Sequence, residues 1–235
     1  MFRSAAAAPN DGSTAASTKT GRLVRMRTWV KICGLSTVDA VDVAVRAGAD
    51  AVGFVFAPGG PRSIGAEAAR ELVARVPADV ETVGVFRGQD LGDVIATARA
   101  SGVSTVQLHG DESPAEMVAV RAAGFRVIRA VSAASYAIES EEARAAFGED
   151  RLLLDAAEPG AGASFDVGPL LDAPPTRDWV LAGGLAPSDV ATRLVELRAA
   201  GARVVGVDVS SGVESTRGVK DPDLIREFVT AARRD

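Results

Sequence analysis

The strongest constraint on the fold is a strand–helix unit that the chain repeats eight times from Thr28 onward. Each unit begins with a short apolar or β-branched run, passes through a polar or glycine-rich junction, and continues as an amphipathic helical stretch. Near-continuous apolar runs of this length are typical of parallel strands buried on both faces. The predicted strands cover residues 28–34, 50–56, 81–86, 104–109, 126–131, 151–156, 179–184 and 204–209.

Helical periodicity fills most of the intervals between these runs. The first predicted helix starts at a Ser36 cap, and Pro114 and Pro187 are predicted in the first turns of two later helices. Three helices end in an Ala-Gly pair just before the next strand, as expected of a left-handed terminating residue. These glycines are Gly48, Gly124 and Gly201.

Alternating strands and helices imply an α/β fold with a parallel sheet. An open doubly wound sheet is the alternative, but eight short units without a second domain favour closure into a (β/α)8 TIM barrel. We predict this barrel as a single catalytic domain over residues 26–235. Residues 1–25 are rich in Ala, Ser and Thr. We interpret them as a disordered extension or an upstream start before Met26, although an organelle transit peptide has a similar composition.

Composition excludes several classes of function. A net charge of −5 gives no support for nucleic-acid binding, and no apolar run reaches the length of a membrane span. A single cysteine cannot form a disulfide within the chain, which indicates a reducing compartment and predicts a cytoplasmic location. One Cys and one His also argue against a dedicated zinc site, so we predict no metal.

Catalytic groups of such a barrel are expected where the strands end at its mouth. Cys33 ends the first predicted strand; it is either a small buried apolar residue or, as a thiolate, a base. Asp155 follows three leucines and either caps the next turn or acts as an acid with a raised pKa. His109 ends the fourth strand and is either a core residue or a polar contact in the pocket.

Two glycine- and serine-rich junctions predict an anion site. Gly183 and Gly184 end the seventh strand, and Ser210 and Ser211 follow the eighth. Barrels often bind phosphate between these two loops, where free backbone N–H groups point at the anion. Arg62, in a loop rich in Pro and Gly, is either a surface residue or a bidentate clamp for a carboxylate.

Several short motifs, in order from about Thr28 to the C-terminus, resemble those of the phosphoribosylanthranilate isomerase family. Their agreement in order is far more specific than any one of them. The motifs are KICG (31–34), GFVFAPGGPRSI (53–64), VGVF (83–86), QLHGDE (107–112), LLLDA (152–156), LAGGL (181–185), and GVDVSSGVES (206–215) followed by GVKD (218–221).

This resemblance implies an Amadori rearrangement in tryptophan biosynthesis, from N-(5-phosphoribosyl)anthranilate to 1-(2-carboxyphenylamino)-1-deoxyribulose 5-phosphate. It implies Cys33 as general base and Asp155 as general acid, no cofactor, a small phosphoribosyl substrate, and a monomer or homodimer. The implied substrate-binding residues are Arg62 for the anthranilate carboxylate with His109 nearby, Asp208 for sugar hydroxyls, and Gly183, Gly184, Ser210 and Ser211 for phosphate.

The chain departs from the family in the stretch EPGAGASFDVGP (158–169), where Val167 replaces a common tryptophan, so the contacts of that loop stay open. A dual-substrate isomerase that also serves histidine biosynthesis is an alternative. That chemistry usually pairs two aspartates, whereas the first strand here ends in cysteine. A non-catalytic phosphoribosyl-binding barrel is a second alternative. A metal-dependent ribulose-phosphate epimerase needs several histidines and is excluded by the single one.

Overall fold

The strand–helix repeat folds into a closed parallel barrel in which each strand pairs with its neighbours in chain order and β8 pairs with β1. The computed structural model describes residues 27–155, 170 and 174–234. The predicted (β/α)8 fold is confirmed. The extension predicted over residues 1–25 and the loop 158–169 lie outside the described residues. The barrel strands are β1 (Trp29–Cys33), β2 (Ala51–Val55), β3 (Glu81–Phe86), β4 (Thr105–Leu108), β5 (Arg126–Ser132), β6 (Arg151–Asp155), β7 (Trp179–Ala182) and β8 (Val204–Val209).

Helices surround the barrel. A 3-10 turn and a two-stranded ribbon follow β8 and precede the last helix. The described helices are α1 (Val38–Ala47), α2 (Ala66–Val73), α3 (Leu91–Ser101), α4 (Pro114–Ala122), α5 (Ala133–Ile138), α6 (Glu141–Phe147), α7 (Val190–Ala199) and α8 (Pro222–Ala231). The 3-10 turn is Ser211–Val213, and the ribbon strands are β9 (Glu214–Thr216) and β10 (Val219–Lys220).

Two predicted helix starts are wrong. The cap of α1 is Thr37 and not Ser36, because Thr37 has extended backbone angles directly before the first helical residue, and its hydroxyl accepts from the Ala40 N–H at 3.3 Å. Pro187 lies in a turn before α7, which begins only at Val190. Pro114 does occupy the first position of α4, and the three predicted terminating glycines all have left-handed backbone angles.

Strand periodicity separates an interior layer from an outer core. Alternate strand residues point into the barrel, where small and branched side chains such as Val83, Ile128 and Leu153 pack together. The intervening residues, among them Ile32 and Phe54, pack against the helices. Polar side chains interrupt the interior toward the C-terminal ends of the strands, and there the barrel opens into a cavity.

The last helix ties the segment after β8 to the barrel wall. Its cap Asp221 accepts from the N–H groups of Asp223 and Leu224, and the Asp221 N–H donates to the Val213 carbonyl at 2.9 Å. Ile225 and Phe228 of α8 are fully buried. This anchorage fixes the position of Lys220, the residue just before the cap. Among the described residues, no helix has the length and apolar character needed to span a membrane.

Candidate active site

A cavity of 380 Å³ lies at the C-terminal mouth of the barrel. All nine residues that the sequence proposes for the site line this one cavity, although they come from the ends of six different strands and the loops that follow them. They are Cys33, Arg62, His109, Asp155, Gly183, Gly184, Asp208, Ser210 and Ser211. Closure of the barrel therefore brings together residues that are as much as 178 positions apart in the chain.

Cys33 is the last residue of β1, with its side chain on the inner face of the barrel and 7% of its surface exposed. Burial raises the pKa of its thiol because the charged form loses solvation. The Lys31 ammonium opposes this rise, while the Asp208 carboxylate adds to it. The thiol is therefore mainly protonated at neutral pH, and the nearby cations decide how easily it loses its proton.

Lys31 and Asp208 form a buried ion pair beneath Cys33. The Lys31 Nζ donates to the Asp208 Oδ1 at 2.9 Å, and the two residues are register partners on β1 and β8. Burial alone would lower the pKa of Lys31, but the negative charge of Asp208 and the Cys33 group raise it above its ordinary value. Lys31 is thus a fixed cation, and one oxygen of Asp208 is already engaged.

Asp155, the last residue of β6, meets His109 from the end of β4. The His109 Nε2 lies 3.4 Å from the Asp155 Oδ2, and both side chains are partly exposed to the cavity. An imidazole at this distance can orient the carboxyl and exchange a proton with it. The structure thus places a second titratable group beside the candidate acid.

The loops after β7 and β8 lie side by side at the cavity wall, where the sequence predicts an anion cup. Gly183 and Gly184 have left-handed φ angles of 93° and 62°, which favour glycine and turn the backbone sharply at the end of β7. Gly212 packs so tightly that an added Cβ would stand 1.8 Å from the Leu185 carbonyl oxygen. The two loops therefore touch through backbone alone, with Ser210 and Ser211 at the cavity wall.

Arg62 reaches the cavity from the loop after β2, but one edge of its guanidinium is already bound. Its Nε and Nη2 donate to the two carboxylate oxygens of Glu214, at 2.6 and 2.8 Å. Glu214 is the first residue of β9 and follows the loop that carries Ser210 and Ser211. Arg62 is thus held at a fixed position by Glu214 and is not a free surface side chain.

Sequence reasoning missed four polar residues in or next to the site. Lys31 and Gln107 precede Cys33 and His109 by two positions, so the period of the strand was a signal for their inward direction. Glu214 and Lys220 carried no such signal. Gln107 is 1% exposed and lines the cavity, and its Oε1 has no hydrogen-bond partner among the described residues. A buried acceptor of this kind is available to a ligand.

In the part of the chain that the structure describes, no three His, Cys, Asp or Glu side chains are grouped closely enough to hold a metal ion. The cavity brings together a carboxyl group, a thiol and two glycine- and serine-rich loops. Cys33 and Asp155 lie on strands separated by β7 and β8 in the closed ring, so they face a bound molecule from different sides.

Comparison with known proteins identifies the family of this chain. The family model for N-(5'-phosphoribosyl)anthranilate (PRA) isomerase matches residues 30–231. An N-(5'-phosphoribosyl)anthranilate isomerase from Paramagnetospirillum magneticum is 41% identical, over 87% of this chain and 96% of that protein. The crystal structure of TrpF from Jonesia denitrificans is 42% identical, with a TM-score of 0.76 over 88% of this chain and 97% of that one. A phosphoribosyl anthranilate isomerase in complex with reduced 1-(o-carboxyphenylamino)-1-deoxyribulose 5-phosphate is 35% identical, with a TM-score of 0.70 over 87% of this chain and 98% of that one.

Proposed function

Because the chain belongs to the N-(5'-phosphoribosyl)anthranilate isomerase family, and is thus an isomerase of tryptophan biosynthesis, we propose that Cys33 and Asp155 are its general base and general acid. The substrate is N-(5'-phosphoribosyl)anthranilate. The observation that carries this assignment is the convergence of a buried thiol, a carboxyl group and an anion cup on one cavity.

Asp155 starts the reaction by protonating the ring oxygen of the ribose. The C1–O bond then breaks, and the electron pair of the anthranilate nitrogen forms a C1=N iminium. His109, 3.4 Å from the Asp155 carboxylate, orients the acid and is placed to return a proton to it after each turnover. A carboxyl group within reach of a second proton-carrying side chain has the geometry that a general acid needs.

Cys33 acts in the second step. The iminium acidifies the proton on C2, the thiolate removes it, and the C2–H electron pair forms an enolamine. Protonation of C1 and loss of the enol proton then give the ketone. Two protons are added, at the ring oxygen and at C1, and two are lost, from C2 and from the enol, so the atoms and electrons balance without an external oxidant or reductant. Lys31, the cation beneath the thiol, favours the thiolate that this step needs.

The remaining residues hold the two ends of the substrate apart. The phosphate lies in the cup formed by Gly183, Gly184, Ser210 and Ser211, where backbone N–H groups are available. Arg62 binds the anthranilate carboxylate through the guanidinium edge that Glu214 leaves open. Asp208 contacts the sugar hydroxyls through the carboxylate oxygen that Lys31 does not occupy.

Turnover of freshly prepared phosphoribosylanthranilate, followed by fluorescence, tests the assignment. We expect Cys33→Ser and Asp155→Asn to lower kcat by about 100-fold to 10,000-fold, the usual contribution of a general acid or base. Both variants should still bind the reduced product analogue, because the binding residues are intact. Asp178→Asn is the matched control, since Asp178 is half exposed and pairs with Arg203 on the surface. Full activity of either site variant would refute its assigned role.

Two further outcomes of the same assay bear on the alternatives. Turnover of the histidine-pathway aminoimidazole substrate at a similar rate would make the chain a dual-substrate isomerase. Tight binding of the product analogue without any turnover would make it a phosphoribosyl-binding barrel. The oligomeric state, monomer or homodimer, and the cytoplasmic location stay predictions. Light scattering and fractionation would measure them.

A further inference from the structure

Glu214 is a carboxylate next to the cavity that accepts four hydrogen bonds. Its Oε1 accepts from the Arg62 Nε at 2.6 Å and from the Lys220 Nζ at 2.8 Å. Its Oε2 accepts from the Arg62 Nη2 at 2.8 Å and from the Gly218 N–H at 2.9 Å. The side chain is 4% exposed, so the four donors replace water almost completely. A carboxylate held in this way cannot rotate without breaking several charge-assisted bonds.

Arg62 is oriented by this carboxylate and by its own packing. Glu214 takes the guanidinium edge formed by Nε and Nη2, which leaves the edge formed by Nη1 and Nη2 for a second carboxylate. The aliphatic stem lies against Gly34, where an added Cβ would come within 2.6 Å of the Arg62 Cδ. Since Gly34 directly follows Cys33, the stem of Arg62 lies beside the end of β1.

Lys220 connects the same carboxylate to the anion cup. Its Nζ donates to the Ser210 carbonyl oxygen at 2.8 Å, to the Ser210 Oγ at 3.3 Å, and to Glu214. The Lys220 side chain is 2% exposed, so these three acceptors satisfy its three donors. Glu214 and Lys220 thus link the guanidinium of Arg62 rigidly to the loop that carries Ser210.

We propose that Glu214 is a positioning residue that holds the open edge of Arg62 at a fixed distance from the phosphate cup, with Lys220 as the brace between them. This inference rests on the proposed function. A substrate then fits only when its carboxylate and its phosphate are separated by that distance. The network selects for a molecule with an anion at each end and discriminates against phosphosugars that lack the carboxylate.

The charge of Glu214 is stable over the working pH range. Burial would raise its pKa, but the hydrogen bonds from Arg62 and Lys220 and the N–H of Gly218 lower it to about 2. The same contact raises the pKa of Arg62. The pair therefore stays ionised, and its positioning effect does not depend on pH near neutrality.

Glu214→Gln tests the proposal through the split between KM and kcat. Glutamine keeps the shape but loses the charge and one acceptor oxygen, so the guanidinium is no longer held by two bonds. We expect KM for phosphoribosylanthranilate to rise about tenfold with kcat within about threefold, the pattern of lost uniform binding. Glu149→Gln is the matched control, because Glu149 is also a buried partner of an arginine, Arg177, but lies outside the cavity.

A double-mutant cycle separates positioning from a merely structural effect. In an Arg62→Ala background, Glu214→Gln should change KM by less than about twofold, because nothing is left to position. An equal rise in KM with and without Arg62 overturns the proposal, and so does an unchanged KM in a folded Glu214→Gln protein. If that variant does not fold, Glu214→Asp replaces it. Aspartate keeps the charge, but its shorter side chain moves the carboxylate oxygens away from Arg62, so KM should rise in the same way. An unchanged KM for this variant would also contradict the proposal. Lack of turnover by the wild-type chain would instead refute the proposed function.

Discussion

Replacement of Lys31 by methionine tests how much the buried Lys31–Asp208 ion pair contributes to the stability of the protein. The Lys31 side chain is fully buried and that of Asp208 is 10% exposed, with 2.9 Å between their charged atoms. Methionine fills nearly the same space without the charge, so Asp208 is left as a buried carboxylate without its cation. Removal of one partner from a buried pair costs about 3–5 kcal/mol. In a domain of this size, a loss of that order lowers Tm by roughly 10 °C.

The double variant Lys31→Met, Asp208→Leu makes this magnitude testable. Replacing both charges with apolar groups removes the unpaired carboxylate as well as the pair, so most of the lost stability should return. Urea unfolding followed by circular dichroism at pH 7 gives the free energy of unfolding for each protein. A loss below about 1 kcal/mol for Lys31→Met would show that cavity water solvates Asp208 sufficiently, which would refute the reasoning.

The single variant Lys31→Met should also change the pKa and the reactivity of the Cys33 thiol. Lys31 lowers the pKa of the thiol and Asp208 raises it, so the pKa should rise further when Lys31 alone is lost. Since the chain has one cysteine, iodoacetamide labelling at pH 8 reports on this residue alone. We expect slower labelling of folded Lys31→Met than of wild type, and partial recovery when Asp208 is also removed. Faster labelling of the folded single variant would contradict the electrostatic argument.

Three further predictions concern pH and the cavity wall. Burial raises the pKa of the Cys33 thiol above its usual 9.0, so kcat/KM should increase from neutral pH toward pH 9; a plateau already at pH 7 would be contrary. The pKa of Glu214 is lowered from 4.5 to about 2, so its contribution to stability is complete above pH 4.5 and is lost as the pH falls toward 2. We expect wild type to exceed Glu214→Gln by about 2 kcal/mol at pH 7, after allowance for solvent screening, and this difference to shrink by about half near pH 3 in urea titrations. Gln107→Leu removes a buried unpaired acceptor, so it should raise the free energy of unfolding by about 1 kcal/mol while raising KM. A less stable variant with normal KM would show that the amide is structural.

The barrel was predictable because apolar runs mark buried strands directly. The sixth run of the chain, RLLLD, is apolar for three consecutive residues and becomes β6. The seventh predicted strand runs two residues too far, since Gly183 and Gly184 follow the apolar run but have left-handed backbone angles. Ser36 and Thr37 are both good caps, and their order alone does not decide which of them precedes the first helical residue.

The candidate site was predictable in its positions but not in its pairings. Strand ends converge in a barrel, so Cys33, His109 and Asp155 were expected to meet at the mouth whatever their partners. The sequence does not indicate which carboxylate binds Arg62, because Glu214 is 152 residues away and lies in a short ribbon without strong strand propensity. Nothing marks Lys31 as a site residue except its place two positions before Cys33, which puts both side chains on the inner face of the strand.

The charged side chains of this site hold one another in position, and they attract the substrate little at long range. The chain carries a net charge of −5, and Lys31 and Arg62 are each paired with a carboxylate of the protein. An anionic substrate therefore gains little from the global field, and binding depends on hydrogen bonds formed at contact. We expect kcat/KM to stay constant or rise slightly when the ionic strength increases from about 0.05 to 0.5 M, because salt screens the repulsion from the chain as a whole. A steep fall in kcat/KM over that range would mean that cations near the mouth do steer the substrate, and the view of Arg62 as a locally neutralised clamp would have to be abandoned.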